Sequence, residues 1–136
     1  MKTRFTQLLV VTVLLLMIGQ VAVYALSDVV TITTAEYRVG KQRLSITATS
    51  SVISPGVVLT LQPYLTANGT TFNPAVLGNT FTNTGGGIHT IVLVGAPPPA
   101  CNPPGGVFAT PCALTPLTVK SNQGGTSPAT ALTRIR

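Results

Sequence analysis

Apolar and polar positions follow two different regimes along this chain. From Leu8 to Leu26 the sequence is an apolar run in which Thr12 and Gln20 are the clear polar residues. From Val30 onward, valine, leucine and isoleucine are spaced among Thr, Ser, Asn, Gly and Pro. No window after Ala25 carries an apolar stripe at helical period, and β-branched residues suit pleated, half-buried surfaces. The second regime therefore predicts an all-β domain.

Alternation places the strands. Val30 and Ile32 share one face, and Ala35, Tyr37 and Val39 are expected inward after a change of parity across Thr33-Thr34. Parity cannot change without a bulge or a bend, and a strand that switches sheets is one natural cause. After a turn at Gly40-Lys41, Gln42 to Ser50 is the clearest strand, with Leu44, Ile46 and Ala48 opposite Arg43, Ser45, Thr47 and Thr49. Ser54-Pro55-Gly56 supplies turn chemistry, and Val57 to Gln62 alternates again. These two strands read as an antiparallel hairpin.

Asn68-Gly69 is a strong hairpin signal and predicts a type I′ turn, with positive φ at both residues. Phe72, Leu77 and Phe81 are expected to reach the core from short segments. After Gly85-Gly86-Gly87, Ile88 to Val94 is apolar on both parities from Ile91, which predicts a central strand covered on both sides. Ala96 to Pro116 reads as a proline-rich excursion. A strand at Leu117 to Lys120, a turn at Asn122-Gln123-Gly124-Gly125 and a strand from Ala129 to Ile135 complete about seven short antiparallel strands.

The first regime is a leader. Lys2 and Arg4 precede the apolar run, and Val23-Tyr24-Ala25 offers small residues before a cut between Ala25 and Leu26. This predicts a cleavable hydrophobic signal helix over residues 1–25 and a domain over 26–136, located outside the cytoplasm, in the periplasm or at the cell surface. The alternative is an uncleaved anchor, since the run approaches the roughly 20 residues that span a bilayer.

Subtracting the leader changes the composition. Removing 25 of 136 residues leaves 111, enough for one domain with its own core. Removing Lys2 and Arg4 from eight basic residues leaves six against two acids, a formal charge of +4. The cations form no run and aromatics are few, which argues against a nucleic-acid partner. Both methionines, Met1 and Met17, leave with the leader, and one histidine remains, so a blue-copper site is closed.

The segment DVVTITTAEYRVGKQRLSITATSS, the following PGVVLTL and the later LTVKSNQGGTS resemble Ig-like or fibronectin-type-III-like modules of exported bacterial proteins. The resemblance covers about Asp28 to Leu61 and Leu117 to Ile135. It implies a β-sandwich with a scaffolding or surface role and carries over no catalytic residue. The chain departs from immunoglobulin domains proper in lacking Trp and in the closeness of its two cysteines.

Cys101 and Cys112 flank turn-forming residues, and outside the cytoplasm they are expected to form a disulfide stapling the 96–116 loop. Such a closure contributes about 2–3 kcal/mol in the chain-entropy model. His89 and Asp28 allow a Ser-His-Asp set on paper, but no G-x-S-x-G elbow is present, Asp28 lies where order is expected to be poor, and His89 reads as an edge or surface residue. Asp28 and Glu36 are the only carboxylates, too few for calcium, and read as a solvated face rather than a glycosidase pair. No cofactor and no metal are expected. Asn68-Gly69-Thr70 is a possible glycosylation sequon, with the hairpin turn as the favoured reason for Asn-Gly. Pro97-Pro98-Pro99 reads as a stiff loop.

Taken together, these readings predict an exported, non-catalytic interaction module with a protein or polysaccharide partner outside the cell. Its contact with a membrane would be through the leader alone. A carbohydrate-binding module and a structural subunit of an envelope or matrix assembly are the alternatives.

Overall fold

The computed structural model describes residues 27–101, 112–132 and 134–135; for 112–114, 131–132 and 134–135 the description is of the backbone. The leader and the Ala25–Leu26 cut lie outside the described residues. The domain is all-β. Its strands are β1 (Val30–Arg38), β2 (Arg43–Ser50), β3 (Leu59–Leu61), β4 (Tyr64–Leu65), β5 (Thr71–Phe72), β6 (Thr82–Gly85), β7 (Ile88–Val94), β8 (Cys112–Thr115), β9 (Val119–Ser121), β10 (Thr130–Leu132) and β11 (Arg134–Ile135). Two short 3-10 turns, Val39–Lys41 and Pro74–Leu77, complete the described elements. No helix among the described residues is long and apolar enough to cross a membrane.

A five-stranded sheet runs β11-β1-β2-β7-β6, and two-stranded sheets pair β3 with β9, β4 with β5 and β8 with β10. Inward side chains of β1, β2 and β7 form one buried cluster with Val57, Leu59, Leu61, Tyr64, Phe81, Leu117 and Val119. The stretch 79–85 joins the two sides. Leu61 N donates to Asn79 O and Phe81 N to Leu59 O, and the chain then pairs with β7 as β6.

Alternation located the faces correctly. Leu44, Ile46 and Ala48 are buried, as are Val57, Leu59 and Leu61. The parity change in β1 is a bulge, with Ile32 opposite Ala48 and Thr34 opposite Thr47. That strand does not switch sheets, because it pairs with β2 on both sides of the bulge. The switch falls instead at the C-terminal strand, which divides into β10, paired with β8, and β11, paired with β1.

Partnership is where the structure departs from the strand pattern. Val57–Gln62 does not form a hairpin with β2: β3 pairs with β9, and β2 lies between β1 and β7. Eleven described strands replace seven, because loops contribute short ladders, and β1 with β11 is a parallel pair. Within the expected 96–116 excursion, residues 112–115 form β8.

Faces differ too where a strand stops early or is covered once. Val39 opens one 3-10 turn and Leu77 closes the other, and both are exposed rather than inward. β7 is central but covered on one side only, leaving Ile88, Val92 and Val94 exposed on the outer face. The Asn68-Gly69 hairpin exists, joining β4 and β5. Its turn is not type I′: Gly69 has φ 78° but Asn68 does not enter the positive region. Gly69 N donates to Thr66 O, so Ala67-Asn68 are the central residues and Gly69 forms a following bulge. The positive-φ pair of a two-residue hairpin is Gly86-Gly87, between β6 and β7.

Candidate functional site

The residues that could carry chemistry converge at the end of the domain where β1 begins. Asp28 precedes β1 and is 3 % exposed, so it is a buried, ordered residue rather than a loose N-terminal one. Ser50 Oγ lies 2.8 Å from both carboxylate oxygens. Oδ1 also accepts from Ser51 N at 2.9 Å, Ser51 Oγ at 3.1 Å and Val52 N at 3.3 Å. Burial by itself would raise this carboxyl. Hydrogen bonds from the Ser121, Ser50 and Ser51 side chains and from the Val52 N–H outweigh it and hold the group below its ordinary 3.8. Asp28 therefore ties the entry of β1 to the exit of β2 and to the end of β9.

Two glycines let the backbone close over this cluster. A Cβ at Gly125 would lie 1.8 Å from Asp28 O, and one at Gly87, where φ is 76°, would lie 2.6 Å from Ser50 O. The chain leaves the cluster through Ser51 and Val52 and turns at Ser54-Pro55, where Val57 N donates to Ser54 O. This clamp gives a physical reason for the missing β2–β3 hairpin. The chain is redirected at Ser50–Val52 toward the opposite side of the core.

His89 is the second group. It lies opposite Ala48 of β2 and Asn83 of β6, faces inward with Ile91 and Leu93, and is 0 % exposed. It is therefore a core residue, not an edge or surface one. Neither Nδ1 nor Nε2 has a hydrogen-bond partner. Desolvation depresses its pKa below 6.5, and the nearby Asp28 carboxylate opposes that shift in part. The imidazole is neutral at physiological pH.

The structure thus gathers aspartate, histidine and serines, but not as a triad. In a working triad the base bonds the nucleophile, and a carboxylate orients the base. Here Asp28 is occupied by serine and backbone donors, His89 bonds neither, and both are shut from solvent. The cluster can hold strands together; it cannot reach a substrate. Among the described residues no group of three or more His, Cys, Asp or Glu could hold a metal ion. Glu36 is far from Asp28 along β1 and accepts from Arg38 Nε at 2.8 Å, so the two acids form no pair. β1 is also not an edge strand, being flanked by β2 and β11.

No family model, curated protein or solved structure matches this chain.

The other candidate residues lie away from the buried cluster. Tyr37 Oη donates to Ala96 O at 2.9 Å and Tyr64 Oη to Pro97 O at 2.8 Å. Burial raises the pKa of both phenols, and for Tyr64 a neighbouring Tyr37 charge adds to the effect. Ala67 N donates to Pro98 O and Ala100 N to Leu65 O, so the proline run is stitched along the β4–β5 hairpin. Cys101 follows it, half-buried against the core. Asn68 and Thr70 of the sequon are exposed at the hairpin tip. A cleft of about 600 Å³ opens between Ile53–Pro55 and Asn83–Gly87, with no ionisable side chain in its lining.

Proposed function

We propose that the chain is an exported, non-catalytic, Ig-like β-sandwich module that acts in extracellular or cell-surface interaction. The observation that carries this reading is the confinement of its one histidine and of Asp28: reactive side chains are used as internal ties and core filling. The sandwich reading is supported by a single core shared between the five-stranded sheet and the β3–β9 pair. Export is supported by the sequence of residues 1–25, with cleavage before Leu26. Edman sequencing of exported material should begin Leu26-Ser27, whereas an intact Met1 would mean a retained anchor.

In this reading Cys101 is bonded to Cys112, which anchors the 102–111 segment between the proline run and β8. No cysteine among the described residues is free, and Cys101 lies four residues beyond Pro97, the second of the two carbonyls held by the tyrosines. Maleimide labelling of the exported protein before and after reduction tests the pairing, with labelling expected only after reduction.

Retention tests the module itself. The purified exported chain should co-sediment with envelope fragments of its host, and His89→Leu should leave that retention unchanged. Turnover of an ester, glycoside or peptide substrate that disappears in His89→Leu would refute a non-catalytic role.

A further inference from the structure

The outer face of the five-stranded sheet carries an ordered set of side chains. Residues directly paired across neighbouring strands share a face, so the register reads out rows. Thr34 is opposite Thr47, Thr47 opposite Thr90, and Thr90 opposite Thr82. That is one threonine from each of β1, β2, β7 and β6, at the interstrand spacing of about 4.8 Å. The next row is Glu36, Ser45 and Val92, and the one beyond it is Arg38, Arg43 and Val94. A groove of about 450 Å³ lies across these rows, lined by Thr34, Glu36, Arg43, Ser45, Thr47 and Thr90 among others.

Charge along the sheet is one-sided. Asp28 is consumed at one end of β1, and Arg38, Lys41 and Arg43 crowd the other, about 30 Å away at a strand's rise per residue. Arg38 and Arg43 are directly opposed across the ladder, an arrangement that is unfavourable for like charges. Glu36 compensates Arg38 at 2.8 Å. Among the described residues, the Arg43 guanidinium donates to Ser45 Oγ, at 3.3 Å from its Nε, a single bond that leaves most of its donor fork for a ligand at the groove.

We propose that this groove binds a linear polysaccharide bearing carboxylates, laid across the strands along the threonine row with a carboxylate taken by Arg43. The proposal rests on the interaction-module reading above and names its ligand class. Three features of the face select this occupant. A guanidinium fork matches a carboxylate in a bidentate way. A row of hydroxyls about one strand spacing apart offers a donor and an acceptor per step, which suits a hydroxyl-rich chain of similar repeat. The buried aromatics Tyr37, Tyr64 and Phe81 offer no stacking platform for bases.

The experiment is calorimetric titration of the exported chain with polygalacturonate at physiological salt, beside its methyl ester and a single-stranded DNA of matched charge. Binding is expected for the polyacid and absent for the ester. Arg43→Gln should weaken it about tenfold, the range of a charge-assisted bond. Thr47→Val should weaken it severalfold, while Lys120→Gln, on β9, should leave it unchanged. Thermal melts of each variant separate lost binding from lost fold. Equal binding of ester or DNA, or an unaffected Arg43→Gln, overturns the proposal. Failure to bind polygalacturonate with envelope retention intact overturns the ligand class alone, whereas loss of both removes the module reading as well.

Discussion

Replacing Asp28 by alanine removes the acceptor at the centre of the clamp between β1, β2 and β9. Its carboxylate takes Ser50 Oγ at 2.8 Å, Ser51 N at 2.9 Å, Ser51 Oγ at 3.1 Å and Val52 N at 3.3 Å. Hydrogen bonds to a charged group contribute about 1.5–3 kcal/mol each, so a simple sum would exceed the stability of many domains. Most of these donors have a second acceptor, however. Ser51 N also reaches Val29 O at 3.0 Å, Val52 N reaches Ser50 Oγ at 3.1 Å, and Ser50 Oγ reaches Val52 O at 3.0 Å. The expected loss for Asp28→Ala is therefore about 2–4 kcal/mol. Asp28→Asn, which keeps the shape and one acceptor, should lose about 1–2 kcal/mol.

Urea unfolding followed by far-UV circular dichroism measures this loss. With a slope near 1.5 kcal/mol/M, a 3 kcal/mol loss moves the midpoint by about 2 M. The pH dependence gives an independent check. The folded carboxyl titrates below 3.8, so its stabilisation is complete above that value and is lost as pH falls through the lower folded one. The gap between wild type and Asp28→Asn should narrow from about pH 6 to about pH 2, because Asn does not titrate. A difference of under about 0.5 kcal/mol for Asp28→Ala at pH 7, or a gap that does not narrow in acid, would refute the clamp.

His89→Leu removes two buried nitrogens that lack partners and should stabilise the domain by about 1–2 kcal/mol at neutral pH. Because the folded imidazole titrates below 6.5 while the unfolded one does not, the wild type should lose stability as pH falls below 6.5; the variant should lack that step, and an unchanged profile in thermal melts would count against it. Gly125→Ala should cost several kcal/mol or prevent folding, since its Cβ would sit 1.8 Å from a backbone oxygen of Asp28. Gly40→Ala, with nothing within 4 Å, is the control and should stay within about 0.5 kcal/mol of wild type.

Alternating side chains by themselves determined that the domain is all-β, which residues of β2 and of Val57–Leu61 face inward, and that β1 contains a bulge. Those features are local: a period of two assigns faces residue by residue, and a parity change must be absorbed where it occurs. Partnership was not local. The same alternation suits β3 beside β2 or beside β9, and only the closed Asp28 cluster and the shared core select β9. The buried site was equally hidden. Asp28 looked like a loose terminal acid and His89 like a surface residue, because nothing nearby in sequence announces Ser50–Val52 and Ser121 as partners for one or a strand interior for the other. The threonine row is the clearest case. Its members are 34, 47, 82 and 90, unremarkable in sequence, and they align because strand register brings them together at one height on the sheet.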